Sequence, residues 1–179
     1  MSQQESDYDE YIMRKHAKLV TPQQVINSAI RKATGELPVS QKRLMLGEQN
    51  EVYDVTLKNK NIILRINHRE SFGKEKWVLE QCKIKNIPVP EVLYIEDIEV
   101  EGQFRSICVL EKLKGEPLKA LLDQKRITNE ELNKILEDAG KILSQIHTVM
   151  QTGFGNLNER GEGEFATWGE YVLNKEKGV

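Results

Sequence analysis

The sequence predicts an α+β fold that changes to all-helical structure near Gly115. Three observations carry this. Residues 41–66 alternate apolar and polar side chains in short runs, the period of half-buried strands. Two more such runs, "VLYIEDIEV" and "FRSICVLEKL", follow a single helical segment. Beyond Gly115 the apolar period becomes that of a long helix. The expected order is N-terminal helices, three strands, a helix, two strands, a linker and a long helix, with the five strands antiparallel.

Residues 8–34 read as helical with a break at Thr21-Pro22. Thr21 stands at an N-cap position, Pro22 at the first helical position and Gly35 at a stop. Val25, Ile26, Ala29 and Ile30 make one apolar face. The stretch "LMLGEQNEVYDVTLKNKNIILRINH" then reads as three short strands, the first two parted at Gly47 and the last two by Asn and Lys at a tight turn. "SFGKEKWVLEQCKIKN" returns to helix, with Trp77, Val78, Leu79, Cys82 and Ile84 as its apolar residues. "IPVPEV" ends that helix, because paired prolines favour extended backbone. Glu101-Gly102 marks the turn of the second strand pair, and Gly115-Glu116-Pro117 is a break. In "NEELNKILEDAGKILSQIHTVM", Leu132, Ile135, Leu136, Ala139, Ile142, Leu143, Ile146 and Val149 fall at helical spacing over 129–150. The glycine-rich residues 151–171 read as irregular.

Composition narrows the function classes. The chain has 179 residues, 30% of them charged, and a net charge of −2, which gives no electrostatic case for nucleic-acid binding. Cys82 and Cys108 are too few for a disulfide framework or zinc site, and read as free thiols in a reducing compartment. The polar, acidic start "MSQQESDYDEY" is unlike a signal peptide, and no apolar run approaches the length of a membrane span. The expected location is the cytoplasm.

Few residues point to chemistry individually. Arg65 lies between Leu64 and Ile66 and so points away from both. It is either a cation offered to phosphate or a solvated outward residue. Glu75, ten residues later, either pairs with such a cation or is a favourable first-turn charge. Gly47 either admits phosphate to backbone N–H groups or simply makes a turn. The strand end "VLEKLKGEPL" either reads an adenine edge through its backbone or is an ordinary strand end. The three histidines have no ligand spacing, and His147 reads as a semi-buried helix residue. No metal site and no nucleophile arrangement is expected.

In order and spacing, these pieces resemble the aminoglycoside phosphotransferase family, the antibiotic-kinase-like branch of the protein-kinase fold. The resemblance covers residues 40–172. "LGEQNEVYDV" resembles the nucleotide hairpin, "IILRI" the third strand, and "KEKWVLEQCKIKNIPVPEVL" the helix and "PVP" entry to the fourth strand. "ICVLEKLKGEPL" resembles the hinge, "AGKILSQIHTVMQTGFGNL" the helix and turn before the catalytic loop, and "FATWGEYV" a tryptophan-containing helix.

The resemblance implies a kinase-like N-terminal lobe over 40–114, preceded by a helical extension, 1–39, and followed by the hinge linker and first helical-lobe segments, 115–179. It implies that Gly47, Glu48, Gln49 and Asn50 form the loop over the phosphates and that Val52 covers the adenine. Arg65 would contact the α- and β-phosphates and Glu75 would orient it. Leu110 would line the back of the pocket, while the Glu111 carbonyl and Leu113 N–H bind the base edge. The nucleotide is ATP or GTP with Mg²⁺, and the acceptor is a small molecule bearing a hydroxyl.

The aspartate base of an H-x-D-x-x-x-x-N loop and the metal-binding aspartate of this chemistry are not among these residues. The expectation is therefore a nucleotide-binding portion without catalytic residues, inactive alone, which self-associates through the helix at 129–150. The alternatives are a non-catalytic nucleotide- or protein-binding module, and a choline-, homoserine- or fructosamine-type kinase lobe.

Overall fold

A computed structural model describes residues 3–45 and 48–176. The chain divides into two compact units. Unit 1 comprises Met1–Gly73 and Pro90–Lys112; unit 2 comprises Lys74–Val89 and Leu113–Val179.

Unit 1 opens with helices α1 (Gln3–His16) and α2 (Gln23–Thr34). Strands β1 (Ser40–Leu44), β2 (Asn50–Thr56) and β3 (Asn61–Asn67) follow, and β4 (Val92–Val100) and β5 (Gln103–Glu111) complete an antiparallel sheet of order β1-β2-β3-β5-β4. The alternation in residues 41–66 thus becomes the expected meander. Val100 pairs with Gln103, so Glu101 and Gly102 alone make the β4–β5 turn. Both have positive φ, 52° and 73°, as a two-residue hairpin turn requires.

Register sorts the side chains between two faces. One face carries Glu51, Tyr53, Val55, Ile62, Leu64, Ile66, Ile107 and Val109, all buried. Ile26, Ala29 and Ile30 of α2 pack on the hydrophobic part of this face and form the core. Each large aliphatic side chain buried there contributes about 1.5–3 kcal/mol. The other face carries Val52, Arg65 and Cys108 in one row and Asp54, Ile63 and Leu110 in the next.

Gly35 ends α2 in the left-handed conformation (φ 77°), with its N–H bonded to the Arg31 carbonyl, as the sequence indicates. The start of α2 differs from expectation. Pro22 is the N-cap residue and no side chain caps the helix. The Thr21 hydroxyl instead donates to Glu51, thirty residues away.

Unit 2 contains most of α3 (Gly73–Ile84), then α4 (Leu118–Asp123), α5 (Asn129–Ile146), the β6 (Phe154–Leu157)–β7 (Gly163–Phe165) hairpin and α6 (Trp168–Glu176). Of the apolar residues expected to form one face of α3, Cys82 is buried but Ile84 is exposed, since the helix ends there. A capping box starts α5: the Thr128 hydroxyl accepts from the Glu131 N–H while the Glu131 carboxylate accepts from the Thr128 N–H. This helix stops at Ile146, short of the expected Met150. His147 is its C-cap residue and is exposed, not semi-buried.

The glycine-rich segment read as irregular holds the β6–β7 hairpin and leads to the expected tryptophan-containing helix. Its Gly161 has φ +77°, and any side chain there would overlap the Trp77 ring. Among the described residues, no helix is long and apolar enough to cross a membrane.

Candidate functional site

The sheet face opposite α2 changes character along its strands. Toward the Glu111 end Ile63 stands beside Leu110, with Asp54 at the β2 side of their row; two residues on, Arg65 stands between Val52 and Cys108. The Arg65 guanidinium lies over the ring of buried Phe72, 4.9 Å from its centroid. Phe72 is fixed in turn by its backbone N–H, which donates to Ser106 Oγ at 2.9 Å. Unit 1 therefore presents a cation on a rigid strand, supported by an aromatic face.

At the Glu111 end, the Glu111 N–H donates to the Glu91 carbonyl at 2.9 Å. Lys112 Nζ meets Asp54 Oδ2 at 2.6 Å, tying the segment after β5 to β2. Leu110 is buried. Of the other expected site residues, Glu75 lies in the first turn of α3 and exposed Leu113 opens the segment after Lys112; both belong to unit 2.

Gly47 lies outside the described residues. Its neighbours reach the N-terminal helices. Glu48 Oε2 accepts from Tyr11 OH at 3.0 Å and from Lys15 Nζ at 3.3 Å. These two partners hold the Glu48 carboxyl below its ordinary range. Gln49 is exposed. Asn50 begins β2 opposite Asn67, and its buried Oδ1 has no hydrogen-bond partner among the described residues.

Immediately after this loop stands a buried carboxylate that pattern reading passed over. Glu51 is fully buried and accepts from the Thr21 hydroxyl, from Tyr53 OH at 2.7 Å and from His68 Nε2 at 2.6 Å, with Arg43 Nη1 3.8 Å away. Arg43 Nη2 donates to the carbonyls of His16 and Leu19 at 3.1 and 2.7 Å. This polar network joins the segment between α1 and α2 to the sheet. Burial lowers the His68 pKa, assisted by Arg105 and Arg43, and outweighs the attraction of Glu51. Neutral His68 then donates its Nε2–H to the carboxylate. Burial, followed by the Glu51 hydrogen bond, pushes the Tyr53 phenol well above its ordinary value.

A signal for Glu51 was present. It keeps step with Tyr53 and Val55 at spacing two, which places it on the core face. No comparable local signal marks Tyr11 or Lys15 as partners of Glu48. Among the described residues, no group of three or more His, Cys, Asp or Glu side chains has an arrangement suited to a metal ion.

This sheet, with its single inserted helix and following helical segments, is of the kinase-like class. The chain belongs to the phosphotransferase enzyme family, whose family model matches residues 40–174. Its sequence is 23% identical over 134 residues to hygromycin-B 4-O-kinase of Escherichia coli, covering 73% of this chain and 37% of that protein. Its fold resembles the crystal structure of aminoglycoside phosphotransferase APH(4)-Ia, with TM-score 0.66, 20% identity, and coverage of 86% of this chain and 50% of that one. A thermostable mutant of that enzyme, in ternary complex with AMP-PNP and hygromycin B, gives a TM-score of 0.63 at 21% identity, covering 83% and 48% of the two chains. The chain spans half or less of the length of these relatives.

Proposed function

We propose that this chain is the nucleotide-binding portion of a small-molecule phosphotransferase that moves the γ-phosphoryl of ATP or GTP to a substrate hydroxyl. The observation that supports it best is the graded sheet face of unit 1, apolar at Ile63 and Leu110 and cationic at Arg65. Alternate residues of a strand are about 7 Å apart. A base against Ile63 and Leu110 therefore leaves its phosphates within reach of the cation. Arginine offers phosphate two parallel N–H donors, and the Phe72 ring limits its swing.

In this reading Val52 covers the base and Leu110 backs it, while the Glu111 carbonyl and Leu113 N–H bind its edge. Gly47, Glu48, Gln49 and Asn50 lie over the phosphates, with Glu75 as the carboxylate that orients Arg65. The nucleotide, bound with Mg²⁺, supplies the transferable phosphoryl group. Residues 40–114 form the nucleotide-binding lobe, 1–39 its helical extension and 115–179 the linker and first part of a helical lobe. The buried thiols Cys82 and Cys108, not joined in a disulfide, suit the reducing cytoplasm.

These 179 residues contain no H-x-D-x-x-x-x-N sequence and no aspartate after Asp138. They supply neither the base nor the metal clamp of phosphoryl transfer. Incubation with labelled ATP and hygromycin B, as a hydroxyl-bearing probe, is expected to give neither labelled probe nor ATP hydrolysis above background. Turnover that survives rigorous purification and is lost in Arg65→Ala would contradict this assignment.

The helical lobe also leaves α5 with no buried residue; Leu136 and Leu143 are 54% and 52% exposed. A second copy pairing along this stripe would bury it. Sedimentation equilibrium should show dimers of the 179-residue chain, and monomers after Leu136→Glu with Leu143→Glu. A parent chain that stays monomeric at high micromolar concentration rules the pairing out.

A further inference from the structure

Beyond the Asn67 end of β3 lies a cavity of about 560 Å³, within the size range of small-molecule sites. His68, which continues the Leu64 and Ile66 side of β3, forms part of its lining. One wall is α1 and the turn beyond it; the others are the residues before β2 and those after β3. It lies wholly within unit 1 and shares only Glu48 and Gln49 with the proposed nucleotide site.

The charges on these walls are unequal. Arg14, Lys15 and Lys18 line one side and Arg69 another, against two carboxylates, Glu48 and Glu70. His68, held below its ordinary pKa, adds no positive charge at neutral pH. Arg14 pairs with Glu10 at 3.8 Å and Lys15 with Glu48 at 3.3 Å. Lys18 and Arg69 have no carboxylate partner among the described residues. The α1 dipole accounts for basic residues in its last turn. It does not account for Arg69, which comes from a different wall.

The rest of the lining is mixed. Gln49 and Asn67 offer amides that bond hydroxyls, while Leu19 and the Tyr11 ring offer apolar surface to a carbon skeleton. The floor is stiff, because His68 is fixed to Glu51 and the Leu19 carbonyl to Arg43. Inorganic phosphate reaches only the cations, whereas a sugar-sized phosphomonoester fits within this volume and also reaches the amide groups.

We propose that this cavity is a second ligand site, built for a phosphomonoester of sugar size whose phosphate lies between Lys18 and Arg69. Charge-assisted hydrogen bonds from lysine and arginine fix the phosphate, and the amides select the hydroxyls. The ligand also draws Lys15 from Glu48, so the carboxylate opposes binding.

Titration calorimetry of glucose 6-phosphate into the 179-residue chain at low ionic strength tests the site. Saturable one-to-one binding is expected. Lys18→Gln with Arg69→Gln should weaken it at least tenfold, Glu48→Gln should tighten it severalfold, and Arg65→Ala should leave it unchanged. Lys18 and Arg69 are exposed, so an unchanged urea midpoint confirms that the double variant is folded. Absence of saturable binding overturns the proposal, as does equal affinity for unphosphorylated glucose. Equal affinity for inorganic phosphate overturns the sugar-sized ligand. Loss of binding in Arg65→Ala, with no effect of the Lys18 and Arg69 changes, would place the ligand on the nucleotide face and also overturn the proposal.

Discussion

Helices α2 and α5 carry apolar stripes of similar regularity and meet different fates. Ile26, Ala29 and Ile30 of α2 are buried against the sheet of unit 1. No residue of α5 is buried, although its stripe is longer. The period of apolar residues thus specifies a helix and which face seeks cover. It does not specify what covers that face. In unit 1 the cover is a sheet paired across long sequence separations. In unit 2, α5 stands on its own capping box and i,i+4 ion pairs such as Lys141–Glu137 at 2.8 Å.

The largest expected effect is on packing. Leu64→Ala empties a fully buried position in unit 1 and should lower the unfolding free energy by about 2–5 kcal/mol. In chain dilute enough to be monomeric, Leu136→Ala removes a side chain already half in water and should lower it by less than about 1 kcal/mol. Urea unfolding of both variants checks the contrast. Equal losses at that dilution would show that the α5 stripe is covered within the single chain.

A smaller effect separates the units by pH. His68 has a folded pKa below its ordinary 6.5, so the unfolded chain takes up that proton first as pH falls. Its contribution to unit 1 is complete above about pH 6.5 and is lost as pH falls through the lower folded value. In unit 2, hydrogen bonds from Thr128 hold Glu131 below 4.5, so its contribution persists above pH 4.5 and fades only below it. Amide exchange should show β2 losing protection as pH falls below 6.5 while α5 holds steady above pH 4.5, and His68→Gln should abolish the β2 loss. A parallel decline in both elements, or one unmoved by His68→Gln, would contradict the assignment.

The sheet and α5 were legible in the sequence because alternation and helical spacing are local signals. The β1–β2–β3 meander, the β4–β5 pair with its Glu101-Gly102 turn and the inserted helix follow from them, whereas the pairing of β3 with β5 does not. The pattern Thr-Pro suits a helix cap at Thr21, yet its hydroxyl serves a carboxylate that only tertiary folding brings near. A charged residue in a strand such as Glu51 ordinarily faces outward; here three hydrogen-bond donors make its burial tolerable. The β6–β7 hairpin carries no such signal, because its glycines supply turn geometry without the branched residues that mark strands. For the candidate site, Arg65 could be placed by parity alone, but the Phe72 ring beneath it and the Lys112–Asp54 pair depend on long-range contacts.

The central claim is that the Arg65 face of unit 1 binds nucleotide. It is tested most directly by titrating ATP into the isotopically labelled chain while following backbone amides, beside an Arg65→Ala variant. The claim predicts saturable shifts at Val52, Ile63, Arg65 and Glu111, with affinity reduced by at least tenfold in the variant. Shifts confined to residues away from this face, or unaltered by Arg65→Ala, would contradict it.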